Sequence, residues 1–289
     1  MSNRLLIPLC LAATYLIWGS TYLGIKWALE SFPPLTLAGI RFVVAGLLML
    51  AWARLSGLPW PSLRQLRNAA WVGFMMLTFG NGAVCIAEKN IASGVAALIV
   101  ALTPLATVLM SLFWGVKARR IEWAGIAVGF AGIVLLNLDG NLRAEPFSVG
   151  LVVAACIVWG LASAWMPRLD MPQGPMSSAM QMLAGGIFCL PLAWLNGESV
   201  PTSVTFKAGA ALVYLIVAGS MLAYSAYIWL LKHTRPALAT SSCYANPVVA
   251  LLLGVFLAQE AISAPIIAGM LAILSGVVML GVAQSRART

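Results

Sequence analysis

Charged residues are scarce in this chain of 289 residues. They make up 9% of it, whereas an average soluble domain contains about 25%, and a soluble fold could not cover its surface with so few. Hydrophobic residues account for 62%, and the mean hydropathy is +0.96. Continuous apolar runs of roughly 20 residues, long enough to cross a bilayer, recur along the chain. We therefore predict an all-α integral membrane protein, because a porin-type barrel would show short alternating strands instead.

Motifs for nucleotide binding, metal chemistry and nucleophilic catalysis are also missing. The sequence contains no GxxxxGKS/T, no HExxH and no GxSxG, and its one histidine excludes a multi-histidine zinc site. The five cysteines all fall within apolar runs and show no CxxC spacing, so neither a disulfide framework nor a metal site is predicted. We expect no catalytic residue, no cofactor and no metal.

Ten apolar segments are predicted to cross the membrane as helices, numbered here as spans 1 to 10. In chain order they cover residues 5–27, 34–53, 69–88, 91–113, 121–138, 147–167, 176–195, 206–231, 236–258 and 264–283. The connections between them are too short to hold a soluble domain. The first apolar run continues past Ala13 to Trp18, so it is predicted to be span 1 and not a cleaved signal peptide.

Lysine and arginine are distributed unequally over the connecting segments. With the N-terminus inside, twelve of them fall on the cytoplasmic side and four on the opposite side, while Arg41 lies within span 2. This positive-inside bias predicts a multi-pass protein of the cell inner membrane with both termini in the cytoplasm. The net charge of +9 is explained by topology, so no nucleic-acid partner is expected.

Two long stretches, residues 92–115 and 236–258, are similar to each other. Each begins with small residues, carries a polar residue before a mid-helix proline and ends in an aliphatic run. The matching pairs of residues are Thr103-Pro104 with Asn246-Pro247, 143 positions apart, and Trp18-Gly19 with Trp159-Gly160, 141 positions apart.

These near-constant offsets predict two repeats, residues 1–140 with spans 1–5 and residues 147–285 with spans 6–10. Because each repeat holds an odd number of spans, the two must lie in opposite orientations, as an inverted repeat around a central cavity. Such a cavity can open to either side of the membrane by equivalent rocking motions. This is the architecture of a secondary transporter.

Four short motifs occur together in spans 1, 2, 4 and 9. They are Ile17-Trp18-Gly19-Ser20, Gly39-Ile40-Arg41-Phe42, Ser93-Gly94-Val95-Ala96-Ala97-Leu98 with Thr103-Pro104, and Pro236-Ala237-Leu238-Ala239-Thr240 with Asn246-Pro247. In this combination the chain resembles the drug/metabolite transporter superfamily, EamA type, and within it the amino-acid exporters of the YddG and YedA kind. The resemblance implies a cavity built from spans 1–4 and 6–9, with spans 5 and 10 at the side, and export of amino acids or similar metabolites. The Gly-Glu pair that such relatives carry after span 4 is replaced here by Gly115-Val116, and only the second copy keeps an acid, Glu260.

The candidate substrate-binding residues are polar or aromatic side chains within the spans. Apolar walls with a few hydrogen-bonding groups would suit an amino acid. The candidates are Trp18, Asn81, Thr103, Trp159, Ser163, Tyr224, Tyr227, Tyr244 and Asn246. For each of them the alternative is structural, as core packing or as a hydrogen bond between helices.

Four further residues are candidates for gating or hinge motion. Arg41 is the one basic residue deep in a span, which is costly unless it faces a cavity or a partner. It is predicted to bind a carboxylate or to gate the site; the alternatives are an ion pair with Glu88 that pins two helices, or a side chain that reaches the membrane surface. Pro104 and Pro247 each remove a backbone donor, so each is predicted to bend its helix beside the cavity, or else to form a packing kink.

The function predicted from the sequence is export of amino acids, aromatic or other neutral ones among them, and related metabolites by alternating access. The expected partners are a small-molecule substrate and the lipid bilayer. Glycine stripes in spans 5 and 10 predict close helix packing, within the chain or in a homodimer. Two other classes remain open, a membrane-embedded enzyme and a non-transporting membrane partner.

Overall fold

The computed structural model describes residues 3–91, 96, 99–136, 145–249 and 264–285, and all regular structure in these ranges is helical. Ten helical elements can be followed through the described ranges. They are α1 (Asn3–Ala28), α2 (Pro34–Leu55), α3 (Leu63–Ala87), α4 (Thr103–Leu112), α5 (Arg120–Leu136), α6 (Pro146–Arg168), α7 (Gly174–Leu195), α8 (Phe206–His233), α9 (Pro236–Ala239, then 242–249 after a turn) and α10 (Ala264–Ser285).

Six of these helices are long and apolar enough to cross a membrane, namely α1, α2, α3, α6, α7 and α8. Two shorter apolar helices, α4 and the 267–280 part of α10, also occur in the described ranges. The chain is therefore an all-helical membrane protein. Parts of predicted spans 4, 5 and 9 lie outside the described residues, together with most of the Ser93-to-Leu98 motif and Glu260.

The N-termini of α3 and α2 are capped by side chains, for α3 from its own first turn and for α2 from a segment far away in the sequence. Ser62 and Gln65 form a reciprocal capping box at the start of α3. At the start of α2 the cap comes from the segment after α7, where the carboxylate of Glu198 accepts hydrogen bonds from the backbone N–H groups of Leu35 (3.3 Å) and Thr36 (2.8 Å). A carboxylate at this end of a helix is favoured by the helix dipole. It ties the end of α7 to the start of α2, and the two helices pack along their length.

Two helices contain π-helical segments, Phe74–Asn81 in α3 and Leu215–Tyr224 in α8. Their first residues are 141 positions apart, the same offset that separates Trp18 from Trp159. Neither segment contains a proline, and the sequence analysis did not predict them. Widened turns of this kind occur frequently at functional sites, and both segments border the cavity described below.

Of the two prolines predicted to bend their helices, one lies next to a turn and the other lies within a helical stretch. A turn at residues 101–102 directly precedes Pro104, which then occupies the first turn of α4, where its missing N–H is not needed. In α9 the turn falls at Thr240 and Ser241, while residues 242–249 are helical around Pro247. At this turn the hydroxyls of Thr240 and Ser241 donate to the carbonyl oxygens of Pro236 (3.0 Å) and Leu238 (2.6 Å), which also accept from the backbone N–H groups of the same two residues.

The glycine stripes bring α5 and α10 into close contact. A Cβ atom on Gly132 would lie 2.7 Å from the carbonyl oxygen of Gly269, and one on Gly276 would lie 2.7 Å from that of Gly125. Only glycine allows the two backbones to approach this closely. The predicted close packing is confirmed, and it forms within one chain.

Candidate functional site

A cavity lies where seven of the helices meet, namely α1–α4, α6, α8 and α9. It encloses about 110 Å³. A single water needs about 10–15 Å³ of such space, so the cavity has room for several waters or for part of a small solute. Most of the side chains around it are apolar or aromatic, as expected for a small-molecule site.

Three aromatic residues form one wall of the cavity. The rings of Trp18 and Trp159, which occupy matching positions in the two predicted repeats, meet edge to face with centroids 6.1 Å apart. The ring of Tyr227 lies 5.1 Å from Trp18 and 5.8 Å from Trp159. Such geometries stabilise an aromatic cluster beyond the area that it buries.

Hydrogen bonds hold this aromatic cluster in place. Trp159 Nε1 donates to the Tyr227 hydroxyl at 2.9 Å, and that hydroxyl also bonds to Ser163 Oγ at 2.6 Å. On the other side, Trp18 Nε1 donates to the carbonyl oxygen of Gly219, in the π-helical segment of α8, at 3.1 Å. Ser163 is fully buried behind the wall, so it supports Tyr227 and does not itself line the cavity.

Arg41 lines the cavity and is 4% exposed. Its Nε donates to Ser220 Oγ of α8 at 2.7 Å. The guanidinium lies against Gly219, where a Cβ atom would be 2.9 Å from Nη2. Because it is buried among helices, Arg41 does not extend to the membrane surface.

The ion pair between Arg41 and Glu88, one of the alternatives for this arginine, is not formed. Within the described ranges the ion pairs are Lys207–Glu30 at 2.6 Å and Arg235–Glu122 at 2.5 Å. The Arg41 side chain reaches α8, whereas Glu88 lies just after the end of α3, where its Oε1 is buried without a hydrogen-bond partner.

Most of the predicted binding residues line the cavity. These are Trp18, Asn81, Thr103, Trp159, Tyr224, Tyr227 and Asn246, together with Arg41. The hydroxyl of Tyr224 is directed away to Gln181 Oε1, to which it donates at 2.8 Å. The side chain of Asn246 keeps a buried Oδ1 that no donor satisfies.

Tyr244 was predicted to bind substrate and does not line the cavity. It packs against Gly129 of α5, and its hydroxyl donates to the carbonyl oxygen of Ile126 at 3.4 Å. Residues two apart on a helix point about 200° away from each other, so Tyr244 and Asn246 could not both face the cavity. Pro104, Pro247 and Glu88 also lie outside the lining of the cavity.

The sequence analysis missed several lining residues, among them Thr21, Tyr22 and Cys243. Helical spacing could have found the first two, because they follow Trp18 by three and four positions on the same helix face. Ser220, which orients Arg41, carried no signal in the sequence.

A separate buried ion pair joins the start of α5 to the start of α9. The Arg235 guanidinium donates to both oxygens of Glu122, from Nε at 2.5 Å and from Nη2 at 2.6 Å. Glu122 is 2% exposed and also accepts from the backbone N–H of Arg119 at 2.7 Å. The hydrogen bonds to Glu122 raise the pKa of Arg235 above its usual value, so this arginine stays charged.

No group of three or more histidine, cysteine, aspartate or glutamate side chains that could hold a metal ion occurs in the part of the chain that the structure describes.

Comparisons with known proteins give the chain its relatives. It is 44% identical over 266 residues to a protein of Escherichia coli strain K12 described as the "Uncharacterized inner membrane transporter YedA", with 91% of this chain and 87% of that one covered. It is 27% identical over 247 residues to the "Probable terminal-alkyne amino-acid exporter" of Streptantibioticus cattleyicolor, with 84% and 82% covered.

A crystal structure of a protein 22% identical to this chain matches with a TM-score of 0.80, covering 98% of this chain and 99% of the other, which supports the same fold. The model of the EamA-like transporter family matches residues 5–138 and 146–282, almost the whole chain. The helical membrane fold, the 44% identical transporter and this match together establish that the chain belongs to the EamA-like transporter family.

Proposed function

We propose that the protein is a secondary transporter of the cell inner membrane that exports amino acids, neutral and aromatic ones among them, and related metabolites. The observation that carries the proposal is the cavity where helices of both halves meet, with aromatic walls and a small number of polar groups. An amino acid with an apolar side chain needs this combination. The name of the Streptantibioticus relative, an amino-acid exporter, supports the same substrate class.

The proposed architecture is ten spans in two inverted repeats, residues 1–140 and 147–285, with both termini in the cytoplasm. Helix packing supports it, because the contact of α3 with α6 has its counterpart in the contact of α8 with α1. The matching offsets of the tryptophans and of the π-helical segments support it as well. The family model also matches the two halves separately.

Alternating access would then require the two halves to rock around the cavity. We assign substrate contact to the lining residues, which are Trp18, Asn81, Thr103, Trp159, Tyr224, Tyr227 and Asn246. The turn before Pro104 is the proposed hinge, because it interrupts the helix next to the lining residue Thr103.

The proposal is tested by counterflow in proteoliposomes that contain the purified protein. Liposomes are loaded with one unlabelled amino acid at a time, and uptake of the same labelled amino acid is followed. We expect transient accumulation for at least one neutral amino acid, and none in protein-free liposomes. Monodisperse protein that exchanges none of the twenty amino acids would contradict the proposal.

Two matched tryptophan variants connect the activity with the cavity. Trp159→Ala removes part of the aromatic wall and is expected to weaken exchange. Trp194→Ala removes a tryptophan at the end of α7 that is 76% exposed and does not line the cavity. This variant is expected to leave exchange unchanged. Equal exchange by both variants would mean that this cavity is not the transport site.

A further inference from the structure

We propose that Arg41 is the receptor for the carboxylate of the transported solute, and that Ser220 orients it for this role. The inference rests on the proposed function and identifies how the site selects its substrate. Of the roles that the sequence suggested for this arginine, it keeps carboxylate binding and replaces gating and the pairing with Glu88.

The first argument is charge balance. Among the twenty described residues that line the cavity, Arg41 alone carries a charge. It is 4% exposed, and neither ion pair in the described ranges includes it. A buried guanidinium without a counter-ion is strongly unfavourable, so an anionic group that enters the cavity is attracted to it.

The second argument is that two nitrogens of the guanidinium, Nη1 and Nη2, remain available to a ligand. Nε is used by the hydrogen bond to Ser220, which is the one hydrogen bond that the Arg41 side chain makes with the described residues. Nη1 and Nη2 therefore keep their donors. Their parallel N–H groups match the two oxygens of a carboxylate, the arrangement in which arginine binds this group most strongly.

The single positive charge also discriminates between anions. One guanidinium neutralises a monoanion such as a carboxylate, whereas it would leave half the charge of a phosphate dianion uncompensated in a cavity with apolar walls. Arg41 therefore favours a carboxylate over a phosphate ester.

A second unsatisfied group indicates what else the solute carries. Asn246, 4% exposed, lines the same cavity, and its buried Oδ1 accepts no hydrogen bond from the described residues. An acceptor in this state is satisfied by a donor on the solute, such as an ammonium group. A solute with one carboxylate and one donor fits a zwitterionic amino acid.

The decisive experiment compares solutes that differ only in the carboxylate. L-Leucine is paired with isoamylamine, and L-phenylalanine with 2-phenylethylamine, which keep the side chain and the amine. Each is tested for competition with labelled leucine or phenylalanine in counterflow by the wild-type protein. We expect the amines to compete about 10- to 100-fold more weakly, since hydrogen bonds to a charged group are lost.

Variants test the same role from the side of the protein. Arg41→Met is expected to raise the KM for leucine about 10- to 100-fold and to remove most of the discrimination against isoamylamine. Arg41→Lys is expected to retain part of both. Ser220→Ala keeps the charge and frees the guanidinium, so it is expected to raise KM by a few-fold with discrimination preserved. Arg120→Met, which removes an exposed arginine at the start of α5, is the matched control.

The outcomes separate this inference from the proposed function. A wild-type protein that exchanges none of the twenty amino acids contradicts the proposed function. A wild-type protein that exchanges leucine and isoamylamine equally well contradicts the role of Arg41 and leaves the transport function standing. An Arg41→Met variant with wild-type KM and wild-type discrimination leads to the same conclusion. If Arg41→Met does not fold, the comparison of solutes on the wild-type protein still decides.

Discussion

Gly219 is predicted to be essential for the position of Arg41, and Gly219→Ala tests this directly. The new Cβ would lie 2.9 Å from Arg41 Nη2 and 3.1 Å from Thr21 Cγ2. Comfortable contacts between such atoms are about 3.5–4.0 Å, so the guanidinium must move by about 0.6 Å or more. The nearest atom is the far end of a flexible side chain, so the arginine is expected to move while the helix stays in place.

The expected loss of stability follows from the hydrogen bond between Arg41 and Ser220, which this movement disturbs. The hydrogen bond of 2.7 Å to Ser220 involves a charged donor and contributes about 1.5–3 kcal/mol. Alanine in place of glycine within a helix recovers about 0.5–1 kcal/mol, so the net loss of stability is about 0.5–2.5 kcal/mol. If Arg41 binds the solute, a misplacement worth about 1.4 kcal/mol raises KM about tenfold.

The assay is counterflow of labelled leucine at several concentrations, together with thermal unfolding of the purified protein. Gly209→Ala is the matched control on the same helix, because its Cβ would meet its nearest neighbour at 3.7 Å, an ordinary contact. We expect a raised KM and a slightly lower melting temperature for Gly219→Ala, and wild-type values for Gly209→Ala. A Gly219→Ala protein with the KM and melting temperature of the control would refute the reasoning.

Three further predictions concern other parts of the molecule. Tyr227→Phe removes the hydroxyl that accepts from Trp159 Nε1 at 2.9 Å and leaves this part-buried donor without that partner. A loss of stability of about 1 kcal/mol and weaker leucine exchange are expected, measured by thermal unfolding and counterflow. Glu122→Gln removes the negative charge from the Glu122–Arg235 ion pair. Because the arginine side chain is 19% exposed, we expect a loss of stability at the low end for a buried pair, about 3 kcal/mol, and unchanged thermal unfolding would contradict this. A reporter fused to the C-terminus is expected to be active only when it is a cytoplasmic reporter, and activity confined to a periplasmic reporter would overturn the orientation.

The sequence predicted the features that depend on composition and on repetition. The shortage of charge identified a helical membrane protein, since lipid tolerates few other structures. Trp18 and Trp159 were both candidates for the cavity because they occupy matching positions in the two predicted repeats, and both line it. The glycine stripes of α5 and α10 were recognisable because close packing of helices requires small residues at helical spacing.

Features that depend on contacts between distant residues could not be predicted in the same way. Arg41 bonds to Ser220, 179 positions along the chain, and a serine in an apolar helix gives no indication of its partner. Tyr244 was assigned to the site by residue type, without regard to the helix face that it occupies. A bend in α9 was expected at Pro247, whereas a turn lies at Thr240 and Ser241, whose hydroxyls bond to carbonyl oxygens of the preceding residues.

The two π-helical segments carry information about the history of the chain. They begin 141 positions apart, and the tryptophans upstream of them are separated by the same number. Between the tryptophan and the π-helical segment, the two halves of the chain therefore contain the same number of residues. On the proposed duplication, the simplest account is that the ancestral five-helix unit already contained this turn and that both descendants inherited it. The irregular geometry beside the cavity would then be older than the fusion of the two halves into one chain.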